Sequence, residues 1–222
     1  MTPDTTYSQK RTFVIQESGG NILVRGNLPL KDDGSFAYLD LNNRLQKLIS
    51  RNFDLKKYTL IDISLIDNQG EQPDLLDEFT AFGVANLIPT VWPPVVKGVD
   101  IFKEYGSSVC GNPGHLMWMP IQGCSDETNC NLVENTQYNF SGIVDQLNTQ
   151  MTTGTGKVIY YHCMNGHDRA GSLTACYMMK YMGRTRQQAM YSNPPEGAMA
   201  MGHDWKETYK PLIEWYAGSI NK

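Results

Sequence analysis

The sequence lacks the features that define several protein classes. It contains no run of 18 apolar residues, so no membrane span is expected. Its net charge of −4 lacks the basic excess of a typical nucleic-acid-binding protein. It has no internal repeat and no low-complexity tract, and 41% of its residues are hydrophobic. The 222 residues are therefore expected to form an ordinary globular protein, long enough for one well-buried domain.

The beginning of the chain also lacks the apolar stretch of a secretory signal. We therefore expect a cytoplasmic protein, or one exported to another reducing compartment by a signal that this pattern does not reveal. Cysteine is scarce, and an odd number of cysteines argues against a complete disulfide framework. The five cysteines are Cys110, Cys124, Cys130, Cys163 and Cys176. Cys124 and Cys130 have neither a C-x-x-C pattern nor a nearby histidine pair, so no metal site is expected.

Hydrophobic periodicity predicts strands that alternate with helices. The predicted strands are a hairpin over 13–16 and 22–25, then 59–66, 116–121 and 158–161. The predicted helices are 40–51, 73–87, 97–106, 138–151, 170–182, 186–191 and 204–216, and GCSDETNCN (residues 123–131) is expected to be a surface loop. This order predicts a single α/β domain with a central, largely parallel sheet flanked by helices. We place the domain over residues 21–222, after a loose N-terminal segment over 1–20.

The segment VIYYHCMNGHDRAGS, residues 158–172, combines a cysteine and an arginine six positions apart. A β-rich run leads into it, a helical pattern follows it, and Gly166 lies where the backbone must turn. This layout points loop amides and a helix N-terminus at one spot, which favours an anion such as a phosphate ester. Arg169 supplies a bidentate fork, and we expect the positive field to favour the thiolate form of Cys163. The pattern predicts that Cys163 is a nucleophile and that Arg169 binds the phosphate.

These residues resemble the protein-tyrosine and dual-specificity phosphatase superfamily, whose signature is H-C-x-x-G-x-x-R. His162, Cys163, Gly166 and Arg169 match its four fixed positions. More loosely, residues 24–30, 59–64 and 177–190 are similar to the segments that precede and follow this loop. The resemblance implies a dual-specificity-phosphatase-like fold, a phosphocysteine intermediate, no cofactor, and a phosphorylated protein or phosphoinositide as substrate. It also implies that the loop residues bind the phosphate: Met164, Asn165, Gly166, His167, Asp168 and Arg169.

Two positions depart from the pattern of this superfamily. Ala170 stands where a serine or threonine usually stabilises the leaving thiolate, and Ser172 is the candidate substitute. Asp168 is unusual in protein phosphatases and is similar to the loop aspartate of the myotubularin-like lipid phosphatases. The resemblance implies that His162 orients the loop and takes no part in acid–base chemistry.

The general acid of this family lies some thirty to forty residues before the cysteine. Asp126, which is 37 residues before Cys163, is the first candidate, and Glu127 and Asp168 are the alternatives. Less specific interpretations stay open: Asp126 is a solvated loop charge, or Arg169 forms a salt bridge with Asp168 or another acid.

Three functions follow from these residues. The first is a protein tyrosine or dual-specificity phosphatase, because the loop lacks the lysines with which lipid-directed members contact extra phosphates. The second is a phosphoinositide or inositol phosphate phosphatase, which Asp168 favours. The third is a phosphate-binding pseudophosphatase, which Ala170 favours. The sequence predicts no nucleic-acid partner, and it leaves the oligomeric state open.

Overall fold

A seven-stranded sheet forms the centre of the protein in a computed structural model that describes residues 6–67, 71–84, 100–136, 139–199 and 205–222. The strands are β1 (Phe13–Ser18), β2 (Asn21–Asn27), β3 (Thr59–Ser64), β4 (Glu104–Tyr105), β5 (Ser108–Val109), β6 (Asn112–Trp118) and β7 (Lys157–Cys163). The strand order is β1-β2-β7-β3-β6-β4, and β5 also pairs with β6. Strands β2, β7, β3 and β6 run parallel, whereas β1, β4 and β5 pair antiparallel at the edges.

Helices cover both faces of this sheet. They are α1 (Tyr38–Leu48), α2 (Gln72–Ala81), α3 (Glu127–Glu134), α4 (Phe140–Thr152), α5 (Asp168–Tyr181), α6 (Arg186–Tyr191) and α7 (Tyr209–Ser219). The apolar side chains of α1 and α2 pack on one face, and those of α3 to α7 pack on the other. The predicted α/β class with a largely parallel central sheet is therefore confirmed. Within the described ranges, no helix is long and apolar enough to cross a membrane.

Strand β7 lies between two parallel neighbours, β2 and β3. Val158 and Tyr160 face the core under α1 and α2, whereas Ile159 and Tyr161 face the core under α4 and α5. Burial on both faces explains the continuous apolar run in its sequence. Cys163 is the last residue of this strand, so it lies at the carboxyl end of the sheet, where open α/β sheets bind their ligands.

Several sequence predictions need correction. Residues 13–18 form β1 and belong to the sheet, so the loose segment does not extend to residue 20. The expected helix over 97–106 is wrong within the described residues, because 104–105 pair with β6 as a strand. Helix α2 ends at Ala81, and residues 85–87 of the longer predicted helix lie outside the described residues.

The segment around Asp126 also differs from the expected surface loop. Residues 127–134 form helix α3, and a disulfide joins Cys124 to Cys130 with their Cα atoms 5.1 Å apart. Both cysteines are buried, and the Cys124 amide donates to the Thr208 carbonyl at 2.9 Å. Disulfides are uncommon in cytosolic proteins, so this pair gives no support to the expected reducing compartment.

Candidate active site

The candidate nucleophile lies at a junction between a strand and a helix. Cys163 ends β7 with 3% of its surface exposed, and it pairs in register with Asn27 on β2. Five residues later the chain enters α5 at Asp168, and Arg169 is the second residue of that helix. The local sequence therefore folds as predicted, with a short loop between a buried strand and a helix N-terminus.

Gly166 makes the sharp turn inside the loop. Its φ angle is +71°, in the left-handed region that favours glycine. A Cβ atom at this position would lie 2.7 Å from the Gly26 carbonyl oxygen and 3.0 Å from the Asn27 amide nitrogen. Both neighbours are backbone atoms of β2 and cannot rotate away. The loop can therefore approach β2 this closely only with glycine at residue 166.

Three carbonyl groups of the loop are turned toward protein donors. The Met164 carbonyl accepts from the Leu28 amide at 3.3 Å. The Gly166 carbonyl accepts from Nε and Nη2 of Arg25 at 3.0 and 2.8 Å, and the His167 carbonyl accepts from Nη2 at 3.3 Å.

This orientation has a direct consequence for the loop amides. The one cis peptide bond among the described residues is Pro194-Pro195, so the loop peptides are trans. A trans peptide directs its carbonyl and the following N–H to opposite sides. The N–H groups that follow these carbonyls, those of Asn165, His167 and Asp168, are therefore turned away from Leu28 and Arg25. Such a row of amides beside a helix N-terminus is suited to bind an anion.

Arg25 is a buried cation beneath the loop that the sequence analysis did not identify. Arg25 is 1% exposed, and its Nη1 also donates to the Ala198 carbonyl at 2.5 Å. Burial lowers the pKa of Arg25, and the nearby Tyr161, Cys163 and Asp168 act in the opposite direction. Arg25 therefore fixes the loop and adds positive potential close to the candidate nucleophile. The available signal was a single charge inside an otherwise apolar buried strand.

Arg169 is paired with Glu71, the residue that directly precedes α2. Its Nη1 lies 2.5 Å from Oε2 of Glu71, and its Nη2 lies 2.6 Å from Oε1. Burial opposes the charge on Arg169, but these hydrogen bonds, together with Cys163 and Glu71 charges, raise its pKa above the ordinary value. The salt-bridge interpretation of Arg169 is thus realised with Glu71. This pairing engages the two Nη atoms, so a phosphate would approach the Nε edge of the fork.

His162 lies in a fully buried cluster with two carboxylates. Its Nε2 is 2.7 Å from Oε1 of Glu78 on α2 and 3.3 Å from Oδ1 of Asp62 on β3. Ser64 donates through Oγ to the other oxygen of Glu78 at 2.7 Å. Burial lowers the pKa of His162, but Glu78 and Asp62 outweigh it and raise the value to about 10. His162 is therefore an imidazolium at neutral pH, in keeping with an orienting role.

The candidate acids occupy different places. Asp126 caps α3 and is exposed; its carboxylate accepts from the Asn129 amide at 2.9 Å and from Ser125 Oγ at 2.8 Å. These hydrogen bonds lower the pKa of Asp126. Glu127 is the exposed first residue of α3. Asp168 belongs to the loop itself: its side chain is 13% exposed and lies 3.1 Å from Lys206 Nζ.

The remaining loop residues have separate surroundings. The Met164 side chain is buried in the core under α1 and α2. Asn165 is exposed and accepts from Nη1 of Arg11 at 3.0 Å, and His167 is the N-cap of α5. Ala170 is fully buried.

Two hydroxyl groups lie close to this loop. Ser172, the candidate substitute for the missing hydroxyl at Ala170, donates to the Asp168 carbonyl at 2.7 Å. The sequence analysis did not identify Tyr209, the first residue of α7. Burial raises the pKa of Tyr209 to about 12; Arg169 opposes this rise, whereas Cys163 and Asp168 add to it. Its phenol is therefore close enough to interact with the charges of the site.

Comparison with known proteins gives likenesses of structure alone. No family model matches the sequence, and no curated protein matches it. Human DUSP28 is 10% identical, with 94% of this chain and 95% of that chain covered and a TM-score of 0.42. A mutant form of Tk-PTP is 14% identical, with 95% and 98% covered and a TM-score of 0.48. PTPMT1 in complex with PI(5)P is 13% identical, with 95% and 97% covered and a TM-score of 0.39. Likenesses this distant carry no inference about activity, which has to rest on the site itself.

Proposed function

We propose that this protein is a phosphomonoester hydrolase in which Cys163 forms a phosphocysteine intermediate. The observation that supports this most is the loop from Cys163 to Arg169 at the carboxyl end of β7. Three of its carbonyls are held by Leu28 and Arg25, and the amides that follow them are thereby turned away from these donors, beside a helix N-terminus. A phosphoryl group spreads its charge over three oxygens in the transition state, which suits such a site.

The proposed reaction has two steps. The Cys163 thiolate attacks phosphorus, an S–P bond forms, and the P–O bond to the leaving group breaks as a general acid protonates that oxygen. Water then attacks phosphorus, the S–P bond breaks, and inorganic phosphate leaves while the same carboxylate takes the proton of the water. Loop amides and Arg169 bind the equatorial oxygens throughout. The reaction as written needs no cofactor.

We propose Asp168 as the general acid, with Asp126 as the alternative. Asp168 lies where the loop meets α5. Its charge and that of Cys163 both act on Arg25 and on Tyr209, so the two residues lie near the same groups. Asp126 is the first choice from the sequence, but its two hydrogen bonds at the start of α3 favour the ionised form. Asp126 also lies on a different element from Cys163, at the start of α3 and outside the loop.

The proposed substrate class is a singly phosphorylated group, with phosphotyrosine in a protein as the first choice. Lys206 is an exposed cation near the loop, but it is paired with Asp168. We therefore do not assign Lys206 to a second phosphate group of the substrate. The alternative is a phosphoinositide or inositol phosphate, and Arg11 favours it. Its guanidinium contacts Asn165 at the exposed side of the loop, where a second phosphate group of the substrate would meet a cation.

Hydrolysis of an aryl phosphate by purified variants tests the proposal. Cys163→Ser should abolish turnover, and Arg169→Lys should lower kcat/KM by roughly 100-fold or more, because lysine cannot reproduce the bidentate fork. Cys110→Ser is the matched control, since Cys110 is an exposed free thiol away from the loop. It should keep wild-type activity. A wild-type protein that binds phosphate without turnover would support the pseudophosphatase instead.

The acid is assigned by leaving-group dependence. Asp168→Asn should lower kcat strongly for an alkyl phosphate and weakly for an activated aryl phosphate, because a good leaving group needs little protonation. Asp126→Asn is the paired variant. If it shows this dependence and Asp168→Asn does not, the acid is Asp126.

The substrate class is decided by comparing kcat/KM for phosphotyrosine peptides and for short-chain soluble phosphoinositides. We expect the peptides to be the better substrates. Higher efficiency on the phosphoinositides, reduced by Arg11→Gln, would reverse this assignment.

A further inference from the structure

Helix α2 contacts the candidate catalytic loop at both of its ends. Glu71 directly precedes the helix and Glu78 lies within it. Residues seven positions apart in a helix are about two turns, or roughly 10 Å, apart and lie on nearly the same face. Glu71 pairs with Arg169, where the loop ends, and Glu78 pairs with His162, the residue before the nucleophile. One helix face therefore holds the two residues that bracket Cys163 and the phosphate-binding amides.

The inner contact is a buried ion pair. Glu78, Asp62 and His162 are all side-chain types that bind metals, and all three are fully buried. However, Nε2 of His162 is 2.7 Å from Oε1 of Glu78. Two ligands on one tetrahedral zinc ion, each about 2.0 Å from it, would be about 3.3 Å apart. The shorter distance is that of a direct ion pair between an imidazolium and a carboxylate.

Strand β3, helix α2 and strand β7 contribute the charged and aromatic groups that face His162, and β2 pairs with it through Gly26, which has no side chain. Strand β3 contributes Asp62, and α2 contributes Glu78. On its own strand, the ring of Tyr160 is stacked at a centroid distance of 5.7 Å. The two carboxylates favour the charged form of His162, the residue directly before Cys163 in the chain. Removal of Glu78 would leave a single acid, Asp62, whose own pKa is raised to about 6 by burial, against the pull of His162.

We propose that Glu71 and Glu78 are positioning residues, through which α2 sets the arrangement of Arg169, His162 and the loop between them. The inference rests on the proposed function, because it assigns these residues to phosphate binding and to the nucleophile. Neither glutamate touches the reacting atoms. Glu71 holds the Nη side of the Arg169 fork, and Glu78 holds His162 as an imidazolium.

Two isosteric variants test this proposal, each with a readout that does not depend on turnover. In Glu78→Gln, NMR should show the His162 imidazolium titrating at a lower pH than in wild type. The rate of Cys163 alkylation by iodoacetamide should acquire a matching inflection. In Glu71→Gln, the pH profile of alkylation should stay unchanged, but the concentration of inorganic phosphate that protects Cys163 from alkylation should rise roughly tenfold or more, since the fork loses its partner.

The matched control is Asp77→Asn, which removes the same charge from the same helix at a position near Gly34. It should change neither the titration nor the protection by phosphate. If both glutamate variants behave like Asp77→Asn within twofold, the proposal is wrong. If Glu78→Gln does not fold, Ser64→Ala removes only the hydroxyl that supports Glu78 and should shift the His162 titration in the same direction; no shift would contradict the proposal. A wild-type protein without turnover would refute the proposed function alone, since NMR and alkylation still report on the helix contacts.

Discussion

Gly166→Ala imposes two free-energy costs at one position, a backbone cost and a steric cost. The residue has a φ of +71°, and an L-residue in this region costs about 1–2 kcal/mol. The new Cβ would also lie 2.7 Å from the Gly26 carbonyl oxygen, which belongs to a central strand. Overpacking of this kind costs about 1–3 kcal/mol. We therefore expect Gly166→Ala to lower the free energy of unfolding by about 2–5 kcal/mol.

Gly183→Ala supplies the control for the first cost alone. Its φ is +69°, and a Cβ there would have no atom within 4 Å. This variant should lose only about 1–2 kcal/mol. Urea unfolding of both variants measures the difference, and each kcal/mol should also lower Tm by roughly 2–4 °C in a protein of this size. Gly166→Ala should additionally lose phosphate affinity, because its loop carbonyls shift away from Arg25.

A Gly166→Ala variant that is no less stable than Gly183→Ala would contradict this prediction. That outcome would mean that the loop does not approach β2 as closely as the structure shows. If the two variants were equally stable and Gly166→Ala also bound phosphate normally, this turn would not be what fixes the loop amides.

Three further predictions concern other parts of the molecule. Arg25→Met should cost about 1–3 kcal/mol for each carbonyl left unpaired and should weaken phosphate binding, measured by urea unfolding and by inhibition. The pKa of His162 rises from 6.5 in the unfolded chain to about 10 in the folded protein. The stabilisation from His162 is therefore fully present below pH 6.5 and should be lost as the pH approaches 10. Unfolding free energies measured across this range test it, and they should fall less steeply with pH in Glu78→Gln. Cys124→Ser should cost about 2 kcal/mol, since it opens a short loop; thermal unfolding of wild type with reductant should match it, and an unchanged Tm in both would argue against the disulfide.

The sequence predicted those parts of the fold whose determinants are local. Strand β7, the glycine turn and α5 follow one another directly, so their apolar periods and the turn residue suffice to identify them. Helix α6 occupies the predicted range, 186–191, and begins with a capping box at Thr185. The alternation of strands and helices gave the α/β class because each period is a property of a single short segment.

The partners of the loop could not be predicted, because they depend on the tertiary arrangement. Glu71 is 98 residues from Arg169, and Arg25 is 141 residues from Gly166. No periodicity connects such pairs, and a charge in an apolar strand does not show what it contacts.

Helix α3 was missed because its sequence is polar. Asp126 caps its start, the Cys124–Cys130 disulfide joins it to the preceding segment, and Asn131 accepts from the Trp215 indole on α7 at 3.0 Å. These contacts come from the disulfide and from another helix, so the apolar pattern alone indicated a loop. The short strand at Glu104–Tyr105 likewise depends on its pairing with β6.

The central claim is that Cys163 carries the phosphoryl group during turnover. Rapid acid quench of the protein with an aryl phosphate, followed by peptide mapping by mass spectrometry, tests it most directly. We predict a phosphate on the peptide that contains Cys163. The fraction of this peptide that carries phosphate in Asp168→Asn should differ from that in wild type because turnover is slower, and the phosphate should be lost in Cys163→Ser. Turnover with no phosphate on Cys163 at any quench time, or phosphate on another residue, would contradict the claim.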